Sequence, residues 1–231
     1  MTVSGRIDAR KSCGRVGSMA GIRWDHNRFY HRFLLRQLPD PCARVLDVGC
    51  GAGAFAVELA RHAERVEAID RSPVMIDAAK QATPGNVTCI LGDVLEQPLP
   101  AGSYDAIVSI STLHHMPLDR VLPVLAEALR PGGVLAVVAL PRADLARELP
   151  VELVAAIGQR VLAITFAVLR KFGRGDWYAL EPTHDDMPVV LDPPLTTRQV
   201  RQQAVALLPG ARVRRRVYWR YSLVWHKSVA G

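Results

Sequence analysis

Three aspartates in this chain stand where apolar runs end: Asp47 in Val45-Leu46-Asp47-Val48, Asp70 after Val66-Glu67-Ala68-Ile69, and Asp93 after Cys89-Ile90-Leu91-Gly92. After the first run comes Gly49-Cys50-Gly51-Ala52-Gly53. Alternating glycines between an apolar run and a helix let the backbone turn tightly and let a ligand approach without a Cβ in its way. The helix start that follows offers free N–H groups. A dinucleotide fingerprint places its third glycine at position 54, which is Ala54 here, so the glycines alone do not choose the ligand. A carboxylate at Asp70, 17 residues after Gly53, can accept both hydroxyls of a ribose. One at Asp93 can accept from an adenine amine, with the Val94 N–H facing a ring nitrogen. Taken singly, Asp47 is equally a turn cap, Asp70 a partner of Arg71 or Arg44, and Asp93 a turn residue. Three carboxylates closing three consecutive strands favour a nucleoside site.

Two histidines, His114 and His115, follow the fourth apolar run, Tyr104 to Ile110. A neutral imidazole there can accept a phenol or amine proton at pH 7. Alternatively, one histidine caps the next segment and the other packs beneath it.

Positioning these residues requires alternating strands and helices. Runs at 44–48, 66–70, 87–91, 104–110 and 134–140 predict five strands. Helices are predicted over 22–38, 54–63, 73–81 and 119–130, with Ser72 capping the third and Pro73 at its first position. Thr196 or Thr197 can cap a further helix through Leu208, and Ala211–Trp219 with Tyr221–Lys227 reads as a hairpin. The alternation predicts one α/β domain over 19–231, a doubly wound parallel sheet covered on both faces, after a basic, disordered tail at 1–18. Between strand five and the last helix, 142–196 reads as a helical and loop insertion, with an apolar face along Leu145, Leu149, Leu153, Ile157, Val161 and Ile164.

Read in order, DVGCGAG, AIDRS, LGDV, YDAIVSISTLHHM and LRPGGVLAVV resemble the successive motifs of the class I S-adenosylmethionine-dependent methyltransferases. The resemblance covers about residues 43–140. It implies a Rossmann-like seven-stranded sheet of order 3-2-1-4-5-7-6, with strand 7 antiparallel and the terminal hairpin as strands 6 and 7. It implies S-adenosylmethionine as methyl donor and S-adenosylhomocysteine as product. Gly49, Gly51 and Gly53 would wrap the methionine part, with Cys50 between them, and Asp47 would help to hold its amino group. Asp70, next to Arg71, would take the ribose; Asp93 and Val94 the adenine; and Met75 would pack beside them. Ser109 and Ile110 would line the floor beneath the sulfonium.

The acceptor is read from what surrounds that site. Trp24, His26 and Tyr30 lie on an N-terminal helix that closes over the cofactor in the enzymes this chain resembles, and His184 lies in the loop after the insertion. For Trp24 and Tyr30, the buried face of a docked helix is the competing reading. The insertion resembles the cap of small-molecule methyltransferases, so a small acceptor, secondary metabolites included, is expected. Nucleic acid is disfavoured. Residues 1–36 carry eight Lys/Arg against two acids and 198–231 eight against none, but neither run interleaves aromatic stacking platforms. In place of the [N/D/S]-P-P-aromatic motif of amino-methylating nucleic-acid enzymes stands Ser109-Ile110-Ser111-Thr112. A protein that keeps the cofactor without transferring methyl is the other alternative. Cys13, Cys42, Cys50 and Cys89 have no zinc spacing and read as reduced thiols. With no signal-like segment and no span-length apolar run, a cytoplasmic monomer or homodimer is expected, with no metal.

Overall fold

In β1 (Arg44–Val48), every residue after Arg44 is buried, including Asp47. A strand so buried must be covered on both faces, and it is central: β2 (Arg65–Asp70) and β4 (Tyr104–Ile110) flank it in parallel. A computed structural model describes residues 26–143, 193–229 and scattered positions between 158 and 169. Trp24, His184, the 1–18 tail and most of the 142–196 insertion lie outside the described residues.

β3 (Val87–Leu91) pairs with β2, and β5 (Leu129–Ala139) with β4, both parallel. β7 (Arg220–His226) inserts antiparallel between β5 and β6 (Arg212–Arg216). The order is β3-β2-β1-β4-β5-β7-β6, as the resemblance implied. On one face, α1 (His26–Leu35), α2 (Ala54–Leu59) and α3 (Pro73–Ala82) pack Tyr30, Leu34, Phe55, Leu59 and Ile76 against Val45, Val66 and Ala68. On the other, α4 (Leu118–Ala128) and α5 (Thr197–Leu207) pack Leu122, Leu125 and Val200 against Leu46, Ile107 and Val137.

Local chemistry sets the element ends. The Ser72 hydroxyl accepts from Met75 N at 3.4 Å, with Pro73 opening α3. Thr196 and Gln199 form a reciprocal capping box on α5. Several boundaries differ from the sequence reading. α2 stops at Leu59, four residues early. β5 starts at Leu129 rather than Val134, because Leu129 pairs with Tyr104 before a register shift. β6 stops at Arg216, since Tyr218 and Trp219 take left-handed backbone (φ 56° and 55°) and turn the chain back.

Buried polar groups tie the sheet together. The Asp105 carboxylate accepts from the backbone N–H groups of Ala43 and Arg44, each at 2.7 Å, and pairs with Arg130. Tyr104 donates to Glu67 at 2.5 Å, and Glu67 also pairs with Arg44.

Candidate cofactor and acceptor cleft

A cleft of about 540 Å³ opens beyond the carboxyl ends of β1 to β4, with His26, Asn27 and His31 of α1 on its wall. This is where an open α/β sheet binds ligands. Of the residues expected to bind cofactor, Asp47, Gly49, Cys50, Gly51, Asp70, Arg71, Met75, Asp93, Val94 and Ile110 line it.

Asp70 organises the loop. Its Oδ2 accepts the Gly51 N–H and its Oδ1 the Ser72 N–H, both at 2.9 Å. A carboxylate oxygen has two lone pairs, so both keep capacity for ligand donors. Asp93 accepts the Leu95 N–H at 2.9 Å. Asp47 is 2% exposed, and its Oδ2 has no hydrogen-bond partner among the described residues. Burial first, then the Asp70 charge, pushes its pKa up to about 7. The same burial and the two carboxylates drive the Cys50 thiol far above its ordinary range, which leaves it an inert wall residue.

The three glycines divide between two jobs. Gly49 (φ 74°) lines the cleft, and a Cβ there would meet Thr112 Oγ1 at 2.0 Å. Gly53 (φ 86°) does not line it: a Cβ there would lie 2.9 Å from Thr83 Cγ2 and 3.2 Å from Ala79 Cβ, so Gly53 seats α2 against α3. Two further candidates, Ser109 and Tyr30, lie off the cleft. Ser109 is fully buried off the cleft, its hydroxyl donating to the Val48 carbonyl at 2.8 Å, and so it bridges β4 to β1. Tyr30 faces the core and donates to the Val217 carbonyl at 2.6 Å, which makes it part of α1's docking face. Its ring is dry enough that burial pushes the phenol up to about 12.

His114 and His115 lie in a 3-10 turn, Leu113–His115, and stack ring on ring, 4.1 Å between centroids, at the cleft wall. Burial, then His115 and Arg220, push His114 down to about 3. Burial and Arg71 push His115 down. Both rings are therefore neutral at pH 7. His26 also lines the cleft and stacks on Tyr218 at 5.6 Å. His31 bonds Glu58 at 2.9 Å and packs on Phe55.

Sequence reasoning missed Ser111, Thr112 and Arg220, which also line the cleft. Arg220 belongs to the basic 198–231 run, yet it is only 9% exposed. The signal was present: it opens a strand whose next five residues are all buried.

Residues 45–133 match the methyltransferase domain model. A protein of Mycobacterium tuberculosis (strain ATCC 25618 / H37Rv) named as an uncharacterized methyltransferase is 31% identical over 211 residues, which cover 89% of this chain and 98% of the relative. The chain belongs to the class I S-adenosylmethionine-dependent methyltransferases. Within this family, the magnesium-protoporphyrin O-methyltransferase of Rhodobacter capsulatus is 38% identical over 100 residues, 41% of this chain and 44% of that one. The N-methyltransferase NodS of Bradyrhizobium japonicum, solved with S-adenosyl-L-homocysteine, shares the methyltransferase fold with a TM-score of 0.53 at 19% identity, over 87% of this chain and 86% of that one.

Proposed function

We propose that this methyltransferase moves a methyl group from S-adenosylmethionine to an oxygen, nitrogen or carbon atom of a small-molecule acceptor. One observation carries the reading: a single cleft holds three strand-end carboxylates, Asp47, Asp70 and Asp93, and continues past them to His114, His115 and Arg220. Its volume of about 540 Å³ falls within the roughly 300–1,000 Å³ usual for small-molecule pockets. A relative named for a small-molecule O-methylation supports the same acceptor class.

The residues present fit the donor. Asp47, whose buried Oδ2 has no hydrogen-bond partner among the described residues, suits an ammonium group. Asp70 and Asp93 suit the ribose hydroxyls and the adenine amine, with Val94 and Met75 as apolar walls. Gly49 and Gly51 leave backbone open to the methionine part. When bound, the donor supplies an electrophilic methyl carbon on a sulfonium. The protein's part is to place the acceptor in line with that carbon and keep water out. Where the acceptor atom must lose a proton, His115 takes it, being neutral and more open than His114. His114, held neutral and buried, orients rather than abstracts. His26 stands at the acceptor end on α1.

The test is calorimetry with S-adenosylhomocysteine, followed by transfer of labelled methyl to a panel of small acceptors. Binding with transfer is the expected result. Absence of binding sinks the donor assignment, and binding without transfer to any acceptor leaves a cofactor-holding protein.

A further inference from the structure

One imidazole at the cleft is tied to a carboxylate that stands outside it. His31 of α1 lines the cleft although it is only 4% exposed, and its Nδ1 lies 2.9 Å from Glu58 Oε1 on α2. The His31 ring also packs on Phe55, 4.6 Å between centroids. Phe55 is the second residue of α2, which begins directly after Gly53. Two contacts from one helix thus set the position and tilt of the ring beside the glycine loop.

The same bond fixes which nitrogen carries a proton. The His31 hydrogen bond holds the Glu58 carboxyl below its ordinary range; burial opposes it, and the charges of His31, Arg28 and Arg61 assist. An ionised carboxylate only accepts, so Nδ1–H is the donor. Glu58 does not line the cleft, so the Nδ1 edge of the ring points away from it. Nε2, on the far side of the ring, makes no hydrogen bond among the described residues. A histidine with one nitrogen committed to a carboxylate has its chemistry set at the other nitrogen. The neighbourhood indicates what that nitrogen meets. Asp47 lies on the strand that leads into the same loop and suits the donor's ammonium, and the donor's amino-acid part carries a carboxylate as well. His114 and His115, by contrast, are disfavoured as cations by burial and stand beyond β4. A carboxylate on each side of an imidazole favours the doubly protonated ring, which donates from both nitrogens.

We propose that His31 anchors the carboxylate of the donor's methionine part, its Nε2–H donating to that group. This rests on the methyltransferase reading above and assigns a residue to the one charged group of the donor left without a partner there. Glu58 is a positioning residue: it acts through His31, orienting the ring and favouring its charged form.

The test uses the full chain and two probes that differ in one group: S-adenosylhomocysteine and its decarboxylated analogue, which keeps the adenosine, the sulfur and the amine. Affinities are read by calorimetry. Wild type is expected to prefer the carboxylate probe by roughly tenfold or more, as for a hydrogen bond to a charged group. His31→Leu is expected to erase most of that preference while the decarboxylated analogue binds as before. Glu58→Gln keeps the imidazole but removes the charge behind it, and is expected to narrow the preference. Should His31→Leu not fold, Glu58→Gln decides, and an unchanged preference refutes the proposal. No preference in wild type, or one that survives His31→Leu, overturns it. So does an equal loss of affinity for both probes in His31→Leu, since the ring then only packs α1 on α2. Failure of wild type to bind either probe strikes the underlying functional reading instead.

Discussion

Asp70 accepts the Gly51 N–H at 2.9 Å, so the carboxylate at the end of β2 clamps the glycine loop at the end of β1. It does so before any ligand is considered, and the Ser72 N–H on its other oxygen ties in the start of α3. A residue placed to hold a ribose also builds the wall around it.

Asp70→Ala is therefore expected to weaken two properties at once. S-adenosylhomocysteine affinity falls by about 1–3 kcal/mol, as for a lost charged hydrogen-bond partner, and the melting temperature drops because two backbone donors lose their acceptor. Calorimetry and thermal melting read the two separately. An unchanged affinity refutes the ribose role; an unchanged melting temperature refutes the clamp.

Gly49→Ala and Gly53→Ala are expected to fail for different reasons. At Gly49 the added methyl collides with Thr112 and sits on backbone at φ 74°. Thr112→Gly in the same chain removes the collision and is expected to restore folding in part, leaving about 1–2 kcal/mol for the left-handed conformation. At Gly53 the methyl presses on Ala79 and Thr83, outside the cleft. Gly53→Ala should lower stability while the folded fraction keeps its affinity for S-adenosylhomocysteine. Melting curves and calorimetry on both variants decide it, and a Gly53→Ala protein of full stability counts against the packing role.

Asp47 and His114 give opposite pH dependences. The Asp47 carboxyl, raised to about 7 from an unfolded value near 4, binds its proton more tightly in the folded chain. Its contribution to stability is thus fully present below pH 4 and is lost as pH rises through 7. His114, lowered to about 3 from about 6.5, contributes stability that is present above pH 6.5 and lost as pH falls toward 3. The stability difference between wild type and Asp47→Asn is expected to shrink from pH 4 to 8, and that between wild type and His114→Gln to grow from pH 3 to 7. Urea unfolding across that range measures both. A flat Asp47→Asn difference means the carboxyl is ionised throughout. With the donor's ammonium beside it, Asp47 stays charged, so S-adenosylhomocysteine should bind more tightly at pH 8 than at pH 6.

The parallel half of the fold was legible because its signals are local. Asp47, Gly49, Gly51, Asp70 and Asp93 each sit one or two residues from a strand end, and strand ends in a parallel sheet share one edge. The errors came where a residue's direction depends on distant partners. Ser109 and Ile110 are neighbours on β4, but only Ile110 reaches the cleft. Ser109 turns to the Val48 carbonyl on β1, 61 residues away. Gly53 sits in the same loop as Gly49, yet its job is set by α3, which no glycine pattern announces. Arg220 was hidden by its company. Arg212 and Arg214 on β6 are exposed, and only the order that places β7 inside the sheet and β6 at its edge makes Arg220 a buried residue of the cleft.

The paired histidines separate base from neighbour. If His115 takes the acceptor's proton, His115→Ala should lower kcat by about 10²-fold or more with S-adenosylhomocysteine affinity unchanged. Its depressed pKa places the acid limb of the wild-type kcat profile below the ordinary imidazole range, because burial and Arg71 disfavour the charged ring. Arg71→Gln should move that limb upward by removing the nearby cation. His114→Gln keeps a neutral polar group against His115, so it should change kcat far less and leave an acid limb in place. A His115→Ala enzyme with wild-type kcat and an unmoved profile would mean that this acceptor needs no base, and that orientation alone carries the rate.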